Sequence, residues 1–206
     1  MKVQLVAILV AAAVTACSPG PALPSPPTAA SAPNPTTSSL SAAEKQDPRH
    51  YAQQVRTHAE AASVSPRLLM AILYNESYKP HDPALERAWQ KIDPDASFGV
   101  ANMHKATFDE AKQGRDFADR DWQELPDDPG LAVAAAAWHL HDLDALLPQS
   151  WTDAYSRDEL LALGYNAGAS SMLAFANNTR PGKLAQAYLD RLRTNWPLAE
   201  DAIRTG

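Results

Sequence analysis

The run from Leu131 to Leu147, LAVAAAAWHLHDLDALL, limits the possible folds more than any other part of the chain. It follows Pro126-Asp127-Asp128-Pro129, where an acidic cap and a proline in the first turn start a helix. Through Leu140 that helix is apolar on most sides, and a helix without a polar face has to be surrounded. The pattern therefore predicts a fully buried central helix. Its neighbours read as helices too: 48–62, with Tyr51, Val55 and Ala59 at helical spacing, then Ser65–Ser77, 104–112, 157–163, 168–177 and 182–195. Residues 81–99 are polar and dotted with proline, and read mainly as loop with a turn of helix at Ala84 to Trp89. No strand-like alternation runs beyond a few residues, and there is no internal repeat. The expectation is an all-α domain over residues 47–206.

The beginning of the chain is of another kind. One lysine precedes an apolar run from Val3 to Val14, too short for a membrane span and suited to an export signal. Val14-Thr15-Ala16-Cys17 resembles the lipobox of bacterial lipoprotein precursors. That resemblance implies cleavage after residue 16 and a lipid on Cys17, the chain's only cysteine. A chance cysteine behind an ordinary signal peptide is the alternative. Residues 17–46 are rich in Pro, Ser, Thr and Ala, with little to bury, and read as a disordered tether. About 30 such residues span on the order of 30 Å as a coil and up to about 90 Å as polyproline.

Removal of residues 1–16 takes away one lysine and no acid, leaving 17 basic against 24 acidic side chains, a formal charge of −7. A chain so acidic is a poor match to nucleic acid, which calls for a basic face. Attachment to a membrane would come from the lipid on Cys17, which places the protein in the cell envelope, outside the cytoplasm.

The chemistry is sought in SPRLLMAILYNES, residues 65–77. Ser65 can cap a helix that opens on Pro66. With Leu69 at zero and about 100° per residue, Ile72 falls near 300°, Leu73 near 40° and Glu76 near 340°, inside one apolar arc. Glu76 thus points inward, where burial disfavours its ionised form and makes it a candidate general acid. The same stretch also allows Glu76 to fray at the helix end and turn into water.

Three segments follow one another: Glu76-Ser77 at the end of that helix, Ser97-Phe98-Gly99-Val100-Ala101-Asn102-Met103 in a loop, and Tyr165-Asn166-Ala167-Gly168 between two later helices. This ordered set, over roughly Val64 to Ala176, resembles the soluble lytic transglycosylase family of the lysozyme-like superfamily, with its ES pair, GLMQ-type loop and YNAG turn. The resemblance implies a lysozyme-like helical domain acting on the glycan strands of peptidoglycan, with Glu76 as sole catalytic acid and base. It implies that Tyr165 hydrogen-bonds near the glutamate, that Asn166 is the polar group beside it, that Ser97 faces the site and that backbone around Gly99 meets the sugar. Asn102 stands where the family usually has glutamine, one methylene longer, so a contact to a sugar N-acetyl group is lost or bridged by water. No cofactor is implied.

Two rival readings remain. Asp93 and Asp95 lie in a segment where goose-type lysozymes, of the same superfamily, carry aspartates; they either position a hydrolytic water or cap turns. The Asn102 departure also allows a catalytically dead lipoprotein that only binds glycan. His139 and His141 point about 200° apart on a helix and are not expected to share a metal ion. Of the five tryptophans, Trp138 and Trp196 read as packing, while Trp89 and Trp122 are candidates for a cleft. Ser170 and Ser171 read as a helix start.

Overall fold

The structure is a computed structural model that describes residues 47–79, 81–93 and 95–206. The expected signal peptide, Cys17 and the expected tether lie outside the described residues.

Asp47 caps a short 3₁₀ turn, Pro48–Tyr51, by accepting the Arg49 N–H at 2.9 Å. Eight α-helices follow among the described residues. They are α1 (Ala52–Ala61), α2 (Pro66–Glu76), α3 (Pro83–Gln90), α4 (Lys105–Ala111), α5 (Pro129–Leu146), α6 (Arg157–Ala167), α7 (Ala169–Ala176) and α8 (Lys183–Thr205). Two two-residue strands, β1 (Ser97–Phe98) and β2 (Met103–His104), pair antiparallel between α3 and α4, with Ser97 opposite His104 and Phe98 opposite Met103. The described domain is mostly helical, as the patterning predicts.

Local chemistry explains where the helices begin. Ser65 Oγ accepts the Leu68 N–H at 3.1 Å with Pro66 in the first position of α2. Asp128 does the same for Leu131 at 2.9 Å ahead of α5. Ser156 and Glu159 form a reciprocal capping box on α6. The expected central helix is α5: Leu131 through Ala137, Leu140 and Leu143 are buried on all sides of it. Helix α2 buries eight of its eleven residues and packs chiefly against α8. None of the helices in the described residues is long and apolar enough to cross a membrane.

Three elements depart from expectation. Helix α3 is a full eight residues, because Asp82 accepts from the N–H groups of Ala84 and Leu85 and Pro83 fits the first position. Helix α6 runs four residues past 163, so Tyr165 and Asn166 lie in its last turn and not between helices. Gly164 lies in this extension: a Cβ there would sit 2.8 Å from Met172 Sδ and 3.2 Å from Met172 Cβ, so its absence makes room for α7. Helix α8 continues past 195, through Pro197, to Thr205. A proline inside a helix costs about 3 kcal/mol. Pro197 is exposed, leaving water to serve the carbonyl it strands, while Ala199 and Ala202 bury beyond it and Arg49 ties Asp201 to the start of the domain at 2.8 Å. Tertiary contact outweighs the local penalty.

Candidate active site

Glu76 is the last residue of α2 and only 7% exposed, on the inward stripe that its spacing predicts. Ser77 ends the helix, its N–H donating to Leu73 O at 2.9 Å. Two donors hold the carboxylate. Asn102 Nδ2 donates to Oε2 at 3.0 Å and to the Glu76 backbone carbonyl at 3.2 Å, and the Tyr188 hydroxyl donates to Oε1 at 3.0 Å. Burial raises the Glu76 pKa above the ordinary 4.5, against the pull of those two hydrogen bonds and of the charges on Lys79 and Arg191. The group keeps its proton longer than a surface glutamate would, yet its carboxylate has donors ready. That is the profile of an acid that later serves as a base.

The loop across from it is built to hold Asn102. Gly99 has φ +72°, and its N–H donates to Glu86 Oε2 at 2.9 Å, while the other oxygen of Glu86 meets His81 Nδ1 at 2.8 Å. The turn closes with Asn102 N–H on Gly99 O at 2.9 Å. Asn102 itself has φ +48°, a left-handed conformation that asparagine tolerates better than most residues. Tyr165, on α6, donates its hydroxyl to Ala101 O at 2.7 Å, and the charge of Glu76 acts on it. Four elements thus converge on one carboxylate: α2, the 99–102 turn, α6 and α8.

A Cβ on Gly99 would lie 2.9 Å from the Leu125 carbonyl, in a backbone conformation that alanine resists. Gly99→Ala is therefore expected to lower stability by about 2 kcal/mol, read as the shift of a denaturant midpoint at unchanged slope. Unchanged stability would mean that the turn relaxes freely.

Of the residues singled out in the sequence, Glu76, Asn102 and Tyr165 come together. Ser97 lies on β1 and accepts from Lys79 Nζ at 3.1 Å, which ties it to the residue three beyond Glu76. Gly99 sits in the turn as described. Asn166 is exposed at the end of α6, and none of the hydrogen bonds on the Glu76 carboxylate comes from it. Asn102 spends its amide on Glu76, donating to both its carboxylate and its backbone carbonyl. Asp93 Oδ1 accepts the Asp95 N–H at 3.1 Å, and Asp95 O takes a hydrogen bond from His104. Trp122 is not a cleft residue. It is 2% exposed, its indole N–H donates to Met103 O at 2.9 Å and its ring packs edge-on against Phe98, because the 3₁₀ turn Trp122–Glu124 tucks it under the hairpin. Trp138 packs under the Arg115 guanidinium and Trp196 under that of Arg67. His139 packs against the Tyr165 ring, and burial lowers its pKa to about 4, while His141 meets Ala62 O. Ser170 and Ser171 lie in the first turn of α7.

Tyr188 is the residue that the sequence reading passes over. Its signal was present: Ala185, Tyr188, Leu189 and Leu192 recur at helical spacing, and all four are buried. Asn75 reinforces it, donating to Tyr188 O at 3.0 Å while Asn195 donates to Asn75 Oδ1 at 2.8 Å. These bonds pin α8 to the end of α2.

What the fold and site define is a mostly helical domain with one buried, doubly held glutamic acid at a helix end. Comparison with protein-family models, with curated proteins and with solved structures finds no match to this chain.

Proposed function

We propose that the chain is a lipid-anchored peptidoglycan lytic transglycosylase with a lysozyme-like domain. Glu76 protonates the bridging oxygen between N-acetylmuramic acid and N-acetylglucosamine, and the bond from that oxygen to muramic C1 breaks. The carboxylate so formed takes the proton of the muramic C6 hydroxyl, whose oxygen closes on C1. Glu76 regains its proton, the product ends in a 1,6-anhydro ring, and no water is consumed. One carboxylate suffices because the substrate supplies its own nucleophile and its N-acetyl group steadies the charge at C1.

The observation that carries this reading is the Glu76 carboxyl itself: buried, with its pKa raised, and faced by two donors. Burial favours the protonated form needed for the first step, while Asn102 and Tyr188 steady the ionised form needed for the second. Tyr165 supports the wall that carries Asn102. The Asp93 carboxylate is used to cap a turn, accepting the Asp95 N–H, and this supports the transglycosylase reading over a hydrolytic role for Asp93. The export signal and Cys17 lipobox fit a substrate in the cell envelope, with the tether supplying reach.

Product chemistry tests the proposal. Purified cell wall digested by the full chain is expected to release muropeptides with 1,6-anhydro ends, one water lighter than reducing-end products in a mass spectrum. Reducing muramic ends would assign hydrolysis instead, and binding without release would assign a glycan-binding protein.

A further inference from the structure

Beyond Glu76, a groove that proton transfer does not use is lined by Lys79, α3 and the start of β1. Helix α3 buries none of its residues, and Leu85, Trp89 and Ile92 are 70%, 52% and 72% exposed. These three line a cavity of about 470 Å³ together with Lys79, Glu86 and Ser97. Its polar groups are the ones wired to the catalytic end. Lys79 gives one of its three donors to Ser97 and acts on the Glu76 charge, and Glu86 holds the Gly99 N–H. An apolar wall with an ammonium, a carboxylate and a hydroxyl converging beside it suits a ligand with one apolar face and a polar rim. A lipid chain would desolvate the rest of the Lys79 ammonium without supplying an acceptor for it.

We propose that this groove is a second binding position for the glycan strand, in which the apolar face of an N-acetylated aminosugar ring lies on the Trp89 indole and its hydroxyls or acetamido group meet Lys79, Glu86 and Ser97. The inference rests on the glycan-cleaving reading of Glu76 and extends it. A strand seated there continues past Ser97 toward the carboxyl, so long substrates gain an anchor that short ones lack.

The test uses the full chain carrying Glu76→Gln, so that sugar is not consumed. It is titrated with the β-1,4-linked tetramer of N-acetylglucosamine while the indole N–H signals are followed by NMR. The Trp89 signal, assigned by its loss in a second variant with Trp89→Phe, is expected to shift, and the buried Trp122 signal is expected to stay. On wall glycan strands, Trp89→Ala is expected to raise KM about tenfold, equivalent to about 1.4 kcal/mol. No buried residue of α3 is disturbed by it. A silent Trp89 signal, whether or not the tetramer binds elsewhere, or a KM within about twofold of the parent, overturns the inference. Anhydro products from the parent chain alongside a silent Trp89 would sink this inference alone. A shifting Trp89 without any product would keep the groove and sink the cleavage.

Discussion

Glu76→Gln is expected to abolish release of anhydro-muropeptides, with a loss of at least about 10³-fold in kcat/KM, the range of a general acid and base removed. Glutamine keeps the shape of the side chain and can hold the same contacts. Its oxygen accepts from Asn102 Nδ2 and its amide donates to the Tyr188 hydroxyl, which can accept as readily as donate. The fold stays and the proton goes. Stability follows with a definite sign. The folded chain raises the Glu76 pKa, so its contribution is whole below the ordinary 4.5 and is lost as pH rises through the higher folded value. Glutamine has no such slope. Thermal midpoints of parent and variant should therefore separate in favour of the variant as pH rises above the ordinary 4.5. Residual cleavage would move the chemistry to another residue, and parallel midpoints would deny the raised pKa.

Tyr188→Phe is expected to lower kcat/KM about 10²-fold, in the range reported for loss of one preorganised donor. The ring is buried on the core stripe of α8, so phenylalanine retains the packing and loses only the hydroxyl that donates to Glu76 Oε1 at 3.0 Å. Burial and the charge of Glu76 push the Tyr188 pKa far up, which leaves it a neutral donor at any working pH. A positioning role makes a claim that packing alone does not. The Tyr188 hydrogen bond lowers the Glu76 pKa, so removing it should carry the alkaline limb of the pH–rate profile upward while Lys79 and Arg191 keep their opposing pull. A lower rate with an unmoved limb would make Tyr188 a packing residue only.

Three helices with their own caps were legible in the chain. Ser65-Pro66, Asp128-Pro129 and Ser156 with Glu159 each serve donors within three residues, so no distant contact is needed to read them. Three of the places misjudged share one cause. Pro197, Gly164 and Trp122 each carry a local preference that packing overrules: Ala199 and Ala202 bury beyond the proline, Met172 presses against the glycine, and Met103 O captures the indole. A local rule holds only until burial outweighs it.

The inward aim of Glu76 followed from the sequence by itself, because position along a helix sets direction once the apolar stripe is known. So did the buried course of α5 and the mostly helical architecture. Which groups meet the carboxyl was decided by tertiary structure alone. Asn102 lies 26 residues from Glu76 and Tyr188 112, and periodicity within one helix carries no information about what another helix brings to its end. Only the packing of α8 on α2, with Asn75 and Asn195 bridging them, turns an inward glutamate into one whose proton is both retained by burial and exchangeable against two waiting donors.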